Sequence, residues 1–580
     1  MKNNQNKGSV TYLLYAFISV WALMLTYKIS VRSPLSVLLM GGLFCLYSYT
    51  SKKDRPERLW PTVISSAILT FVMLIVKAYD ILAEYDNRLF KAGFLCIMTA
   101  GLFILFYHLF LLLTDIGTGW LFEKKEGSPE MKNIMLFSFL VCLVFYLPWF
   151  LYSFPGIFDP DPIGQIEQVL GIRPWSNHHP IIHTLLIGLF YHIGGIFTES
   201  INIRIGLYTF FQMSFFAFCA SVVISTLYKV IKLRLAVCMA VLAFYAAVPF
   251  MAVQSIIVCK DVIFAGIVML FCCELTRIVY EGLPYGKNMV VRIAYFNILG
   301  ILMSLFRSNG WYVFLLIAAV FAIVYLKEWK KILFMLLPVI VTVCIIKGPV
   351  MTACGVEQPD MAEALHVPEQ QVARVLYYHR DISPADRALL EELTDISRVD
   401  ELYCPWFADN IKELIRSGNP EKLEQNKGAY FRLWLRLGIR YPVDYILAWK
   451  DLTENIIYPE GDYDIAVIEG VYPNSFGLSE KPLIVGKAAV KLRELAIKLG
   501  SVVPVYGFLW SMGSYTWILL LTAAKILSHK GREKRLIILI PAAAIIATLF
   551  LAIPAARLFR YAFSYAVLIP FCVCAAAEKE

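Results

Sequence analysis

Charge is what this chain has least of. Only 17% of its 580 residues are Asp, Glu, Lys or Arg, and 59% are hydrophobic, against roughly 45–50% apolar in a soluble domain. That shortage excludes an ordinary soluble enzyme. Apolar runs of about 20 residues recur from end to end, each long enough to cross about 30 Å of hydrocarbon. The chain has no internal repeat and no low-complexity tract, which counts against a fold built from two matching halves. The first apolar run, "YLLYAFISVWALMLTYKIS", follows Lys2 and Lys7. It lacks a small-x-small cleavage site, so it is expected to stay as an anchor. The net charge of +9 implies no nucleic-acid partner, because Lys and Arg gather in short loops between apolar runs. Most of the thirteen cysteines fall inside apolar runs, where a thiol behaves as a small hydrophobe. Cys354 and Cys404 lie in a polar segment, and whether they pair is open.

The expected fold is an all-α polytopic membrane protein with about 14 transmembrane helices. They are placed near 9–30, 34–50, 60–77, 90–114, 133–153, 203–228, 234–257, 262–280, 290–306, 311–326, 332–348, 503–526, 535–553 and 561–577. Basic loops set the orientation. Lys52, Lys53, Arg55 and Arg58 mark one cytoplasmic loop, and Lys124, Lys125 and Lys132 mark the next. Lys229, Lys232 and Arg234 follow, then Arg277, Lys287 and Arg292, then Lys327, Lys330 and Lys331, and finally Arg532, Lys534 and Arg535. Both termini then lie in the cytoplasm; Lys28, Arg32, Arg88 and Lys91 run against the rule. The scheme holds only if the run 180–197, "PIIHTLLIGLFYHIGGIF", does not cross. It is read as a helix lying at the outer surface, inside one long outer loop, 154–202. The same map puts "CKD" at 259–261, "FRSNGWY" at 306–312, "RLFRY" at 557–561 and the polar stretch 349–502 outside. "ISPADRALLEELTD" and "NPEKLEQNKGAYFRLWLRLGIRYPVDYILAWKDL" in that stretch read as amphipathic helices, so a small, mostly helical extracytoplasmic domain is expected. Four regions result: N-terminal helices 1–132, a transmembrane module 133–348, the outer domain 349–502 and C-terminal helices 503–580.

The outer loop holds an unusual set of side chains: "FPGIFDPDPIGQIEQVLGIRPWSNHHPIIHTLL", 154–186. Taken as a helix from Asp161 to Leu170, Asp161 is the N-cap and Pro162 the first helical residue. Asp161, Gln165 and Gln168 then share one face, opposite Ile163, Ile166 and Leu170. Capping alone would justify Asp161, and Asp159 could be an ordinary turn residue. However, a carboxylate at membrane level faces a cavity or a partner, and this pair is followed by His178, His179 and His183. The last two are four apart, so one helical face could offer both to a divalent metal such as Mg or Mn; protonated, they would suit a phosphate instead. The motif is not HExxH, and the choice stays open. His192 lies off that face and reads as structural. Lys260, Arg307, Arg557 and Arg560 each stand at the end of a separate run or at its edge. Snorkelling explains any one of them, but together, on the side disfavoured for positive charge, they suggest an anion site for phosphate. Asp261 adds a second carboxylate position, and Trp311 with Tyr312 could form a stacking wall. These parts fit one reaction: a lipid-borne sugar phosphate held by the cations, and a carboxylate that deprotonates or orients an attacking hydroxyl.

On these motifs, "FDPDPIGQIEQ" and the "KD" at 260–261, the chain resembles the GT-C class of integral-membrane glycosyltransferases over roughly 133–577. It is also similar to an uncharacterised bacterial group assigned to that class. The resemblance implies a GT-C-like fold with juxtamembrane helices in the first long outer loop, and inverting sugar transfer from a polyprenyl-phosphate donor to an envelope glycan, lipid or protein. It gives Asp161 the position of the catalytic carboxylate, with Asp159 second, and gives Lys260 and the terminal arginines the phosphate. Gln165, Asp261, Arg307 and Trp311 complete the expected substrate site. Four spans precede the module and the histidine cluster is not general to the class, so the resemblance does not decide whether a metal is used. A transporter or flippase of an envelope lipid, a polysaccharide polymerase or ligase, and a non-catalytic scaffold are the competing readings.

Overall fold

The computed structural model describes residues 2–53, 55–122, 133–461, 464–465 and 469–577, with side chains from residue 9 onward. Lys124, Lys125 and Lys132, read above as one basic loop, lie outside the described residues, as do the side chains of Lys2 and Lys7. Among the described residues the chain is helical, joined only by isolated β-bridges. Among the described residues nine helices are long and apolar enough to cross a membrane. The pair Leu235–Ala247 and Pro249–Ile256, bent by 52°, would make a tenth. The bend falls where Val248 is extended (ψ 118°) before Pro249, because proline pushes its predecessor out of the helical region. Leu35–Thr50, Ser308–Val324, Met512–Leu527 and Arg560–Ala575 lie where spans were expected and are apolar, but are shorter than those nine. At about 1.5 Å per residue a 16-residue helix reaches only about 24 Å. The protein is a multi-pass membrane protein.

The chain forms two compact units, 1–119 with 516–536 and 120–515 with 537–579. The C-terminal helices, expected as one group over 503–580, are divided between them. In the first unit Ser19 donates to the Gly101 carbonyl at 3.0 Å, and Tyr47 donates to Ser19 at 2.8 Å. A Cβ on Gly101 would come within 2.5 Å of the Ile18 carbonyl oxygen. Glycine is what lets these two helices touch.

The second unit is built round Lys260–Glu281, a helix apolar on every side and 89% buried across its apolar stretch. A helix with no polar face belongs inside a bundle. It packs against Ile201–Lys229 and Met289–Phe306. It carries two buried acids, Asp261 in its first turn and Glu274; Glu274 is held by Arg292 at 2.8 Å. Between residues 357 and 457 short amphipathic helices close round Leu390, Leu414, Leu433, Leu437 and Tyr445. The two stretches read as amphipathic form Pro384–Leu393, Pro420–Gln425, Lys427–Arg440 and Pro442–Ile457. Cys354 and Cys404 are both free.

The loop 154–202 folds as two helices, Pro160–Val169 and Ile181–Gly195. Its entry is stitched on both sides. Ile157 accepts from Val258 N–H at 2.9 Å, and Phe158 donates to Gly470 O at 3.0 Å. Gly156 precedes them at φ +141°, where a Cβ would lie 2.8 Å from Thr209 Oγ1, so this turn requires glycine. Further on, Asn177 donates to Glu357 O at 2.7 Å, which ties the histidine segment to the start of the polar domain.

Candidate functional site

The first loop helix starts earlier than expected. Asp159, not Asp161, is the N-cap, and Pro160 is the first helical residue. "DPDP" offers two Asp-Pro registers, and the bridges on Ile157 and Phe158 hold the chain extended just up to the first of them. Asp159 makes no side-chain cap hydrogen bond; its carboxylate faces Arg560 at 3.8 Å instead. Asp161, in the first turn, accepts from Arg560 at 3.0 Å. One guanidinium, 399 residues away in sequence from Asp161, therefore joins both carboxylates.

On the other side of Asp161 stands His179, with Nε2 3.8 Å from its carboxylate. Lys260 donates to His179 Nδ1 at 3.0 Å. Burial and then Lys260 hold the His179 pKa well below its ordinary value. With Nδ1 accepting from Lys260, the ring proton sits on Nε2 and points toward Asp161. Burial pushes the Asp161 carboxyl up, but Arg560 and Lys260 outweigh it and hold the group below the usual carboxylate range. For Asp159 burial wins over the more distant Arg560, and its pKa is raised. Two carboxylates two residues apart are thus pushed in opposite directions, an arrangement that separates a proton acceptor from a fixed negative charge.

Asp261 forms a second pair. It lies 2.8 Å from Arg307 and accepts from Cys259 Sγ at 3.0 Å. Arg307 occupies the extended break between Met289–Phe306 and Ser308–Val324. Its guanidinium lies 5.6 Å from the Tyr561 ring centroid, and that of Arg560 lies 5.1 Å from the same ring. Tyr561 therefore stands between the two ion pairs.

Asp161, Gly164, Gln168, Arg173, His178 and His179 line a cavity of about 370 Å³. A larger cavity of about 620 Å³ belongs to the polar domain, among His379, Arg387, Asp395, Asp400 and Asn419. It contains none of the residues predicted from sequence.

Other expected site residues take different places. Gln165 is buried and does not face the cavity: it donates to Thr184 at 2.8 Å and accepts from His183 Nδ1 at 2.8 Å. His183 is not brought to His178 and His179. His179 precedes the helix that carries His183, so the shared helical face does not form. His183 Nε2 meets Tyr208 OH at 2.7 Å, and burial lowers its pKa to about 3. Neutral, with Nδ1–H given to Gln165, it accepts from Tyr208; both ring nitrogens are used. Among the described residues no group of three or more His, Cys, Asp or Glu is arranged to hold a metal. Arg557 lies over the Trp406 ring at 4.4 Å, away from the aspartates that Arg560 meets. Trp311 is half-buried and Tyr312 is exposed, on the first turn of Ser308–Val324.

Several participants were not picked from the sequence. Gln212 donates to Ser255 O at 2.9 Å and to Ile257 O at 2.8 Å, which supports the turn that presents Lys260 and Asp261. A glutamine inside the apolar run "FFQMSFF" was a usable signal, because polar groups in such runs have partners. Glu363 of the polar domain faces His178 at 3.7 Å and Lys412 at 3.3 Å. Lys412 also meets Asp409 at 2.7 Å. Nothing local marked these residues.

Residues 174–458 match the model of a family of unknown function (DUF6020). The match begins within the histidine segment and runs through Lys260, Asp261, Arg307 and the polar domain. No curated protein and no solved structure matches the chain.

Proposed function

We propose that this protein is a glycosyltransferase of the membrane, using a polyprenyl-phosphate-linked sugar as donor and a cell-envelope hydroxyl as acceptor. In this reading the helices form a GT-C-like arrangement of fourteen spans, the shorter and bent ones included. Both termini are cytoplasmic, and the loop 154–202 and the polar domain lie on the extracytoplasmic side. The observation that carries it is the meeting of Asp159, Asp161, Lys260 and Arg560, bridged by His179, beside one cavity, from three segments far apart in sequence. Ionisable groups gathered at the ends of apolar helices mark a site rather than a scaffold.

The donor phosphate binds to Arg560 and Lys260, which exchange part of their present pairing for phosphate oxygens. Asp161 stays ionised and opposes the positive charge that develops at the anomeric carbon. Asp159, the less acidic carboxylate, takes the proton of the acceptor hydroxyl. The acceptor oxygen bonds to the anomeric carbon as the bond to phosphate breaks. Lipid phosphate leaves with the electron pair, toward Arg560. Attack opposite the leaving group inverts the anomeric centre. His183, committed to Gln165 and Tyr208, has no ring nitrogen left for a metal or a phosphate.

The test supplies purified protein in vesicles with a panel of polyprenyl-phosphate sugars and follows release of polyprenyl phosphate. Release that depends on Asp161 is expected. Unchanged release in Asp161→Asn removes the carboxylate from the mechanism. Translocation of the intact donor without release turns the assignment toward a transporter. Cysteines placed near 165 and 400 should react with an impermeant reagent from outside intact cells; reaction only from the cytoplasm inverts the topology.

A further inference from the structure

The helix Lys487–Val502 is too charged to span a bilayer and too apolar on one side to face water. At 3.6 residues per turn, Leu492, Leu495, Leu499 and Val502 fall on one edge, with 69%, 56%, 37% and 55% of their surface exposed. Lys487, Lys491 and Lys498 fall on the adjacent edge and are exposed as well. A third side is packed. Arg493 is buried there, paired with Glu469 and lying 5.4 Å from the Tyr152 ring. Gly500 sits against Trp510, so that a Cβ would fall 2.3 Å from the indole. The packed side fixes the rotation of the helix, so its apolar edge is presented and not merely unsatisfied.

Its height is fixed too. Just before the helix, Lys481 donates to Phe154 O at 2.7 Å and Leu483 donates to Leu151 O at 2.8 Å. Those carbonyls lie at the end of the apolar helix Ile134–Tyr152, a candidate span. The helix therefore begins where hydrocarbon ends. Val485, Val505 and Phe508 are exposed on either side of it, at 77%, 85% and 59%.

We propose that Lys487–Val502 lies in the plane of the bilayer surface, seating its leucine edge in the acyl boundary and its three lysines on anionic lipid headgroups. An apolar strip flanked by cations has the geometry of an interfacial helix, and each lysine near an anionic surface favours the seated state by about fivefold. The site is independent of the catalytic reading. It also touches the loop that carries the aspartates, because Glu469 adjoins Gly470, the acceptor for Phe158 N–H.

The test uses the full-length protein in phosphatidylcholine vesicles, with or without phosphatidylglycerol. A genetically encoded keto side chain carries a nitroxide at 492, 495 or 499, or at 491, 494 or 498, and leaves the thirteen cysteines in place. The first set is expected to be open to oxygen and closed to an aqueous nickel chelate, and the second set the reverse. Phosphatidylglycerol should deepen the first set, and that shift should be lost in K487Q/K491Q/K498Q. Nickel access at 492, 495 and 499 would overturn the proposal. So would exclusion of both reagents, which means that protein covers the edge. A wild-type depth indifferent to phosphatidylglycerol would overturn the headgroup assignment.

Discussion

The loop 154–202 holds two polar layers within a few residues of each other, and they are built on opposite principles. The charged layer consists of Asp159, Asp161, His179, Lys260 and Arg560, beside a cavity, with polar contacts at 3.0 to 3.8 Å. The neutral layer consists of Gln165, His183, Tyr208 and Gln212, all buried; His183 links Gln165 to the Tyr208 hydroxyl, and Gln212 lies 3.2 Å beyond it. In the neutral layer each strong donor has found an acceptor, so the layer has nothing left to offer a ligand. In the charged layer the pairing is loose and borders open volume, so a phosphate or hydroxyl can join it. On the proposed reading the neutral layer positions and the charged layer reacts. Sequence places Gln165 and His183 among the reactive residues, and their partners move them to the other group.

The comparison breaks most easily at Asp161. Asp161→Asn is expected to lower transfer per folded molecule by about 10²–10³-fold; the amide oxygen can still accept from Arg560, and Asp159 still faces it, so the protein still folds. A transfer rate within a few-fold of wild type would leave the charged layer without a reactive role. His183→Phe should do the opposite. It leaves the buried Gln165 Oε1 without its donor, at a cost of about 2–3 kcal/mol in stability, while Tyr208 can still donate to Gln212. Activity per folded molecule should stay within a few-fold. Thermal unfolding in detergent, paired with activity normalised to folded protein, separates the two outcomes.

Acid should find the neutral layer first. His183 has a folded pKa of about 3, far below its unfolded value of about 6.5. The unfolded chain takes up the proton first, so this stabilisation is complete above about pH 6.5 and is lost as pH falls toward 3, at roughly 1.4 kcal/mol per pH unit. Burial lowers His178 and His179 as well, and they contribute in the same sense. Asp161 is shifted below its ordinary value, so its stabilisation persists until pH falls below about 3.9. Stability measured from pH 7 to 4 should therefore fall less steeply in His183→Gln than in wild type, and with an unchanged slope in Asp161→Asn. Equal slopes in wild type and His183→Gln would mean that the ring is not held neutral.

The membrane character and the helical polar domain were legible because apolar length and amphipathic period are local properties. The break before Ser308–Val324 was legible too, in the "FRSNGWY" between the expected spans 290–306 and 311–326; that Arg307 reaches Asp261 through space there was not. Asp159, Asp161, Lys260 and Arg560 stood out because charge at the edge of an apolar run is rare. Arg557 stood out for the same reason, yet it lies on Trp406: the chain turns into helix at Arg560, and three residues decide which arginine meets the aspartates. The roles of Gln212 and Glu363 depend on partners such as Ser255 and His178, distant in sequence. A single sequence marks where charge is costly, but not which distant group relieves it.

The smallest effect marks the boundary between the layers. Arg173 pairs with Glu167 at the cavity rim, with 63% of the arginine side chain and 12% of the glutamate exposed. Water screens the arginine, and holding two long side chains together costs entropy, so such a pair contributes about 0–1 kcal/mol. Arg173→Ala should accordingly shift stability by less than about 1 kcal/mol, far below the loss at His183. Because Arg173 lines the same cavity as Asp161, its removal should instead raise the KM for an anionic donor while kcat is preserved. A large loss of stability would make the rim part of the folded core, and the division between a layer that positions and a layer that reacts would no longer hold.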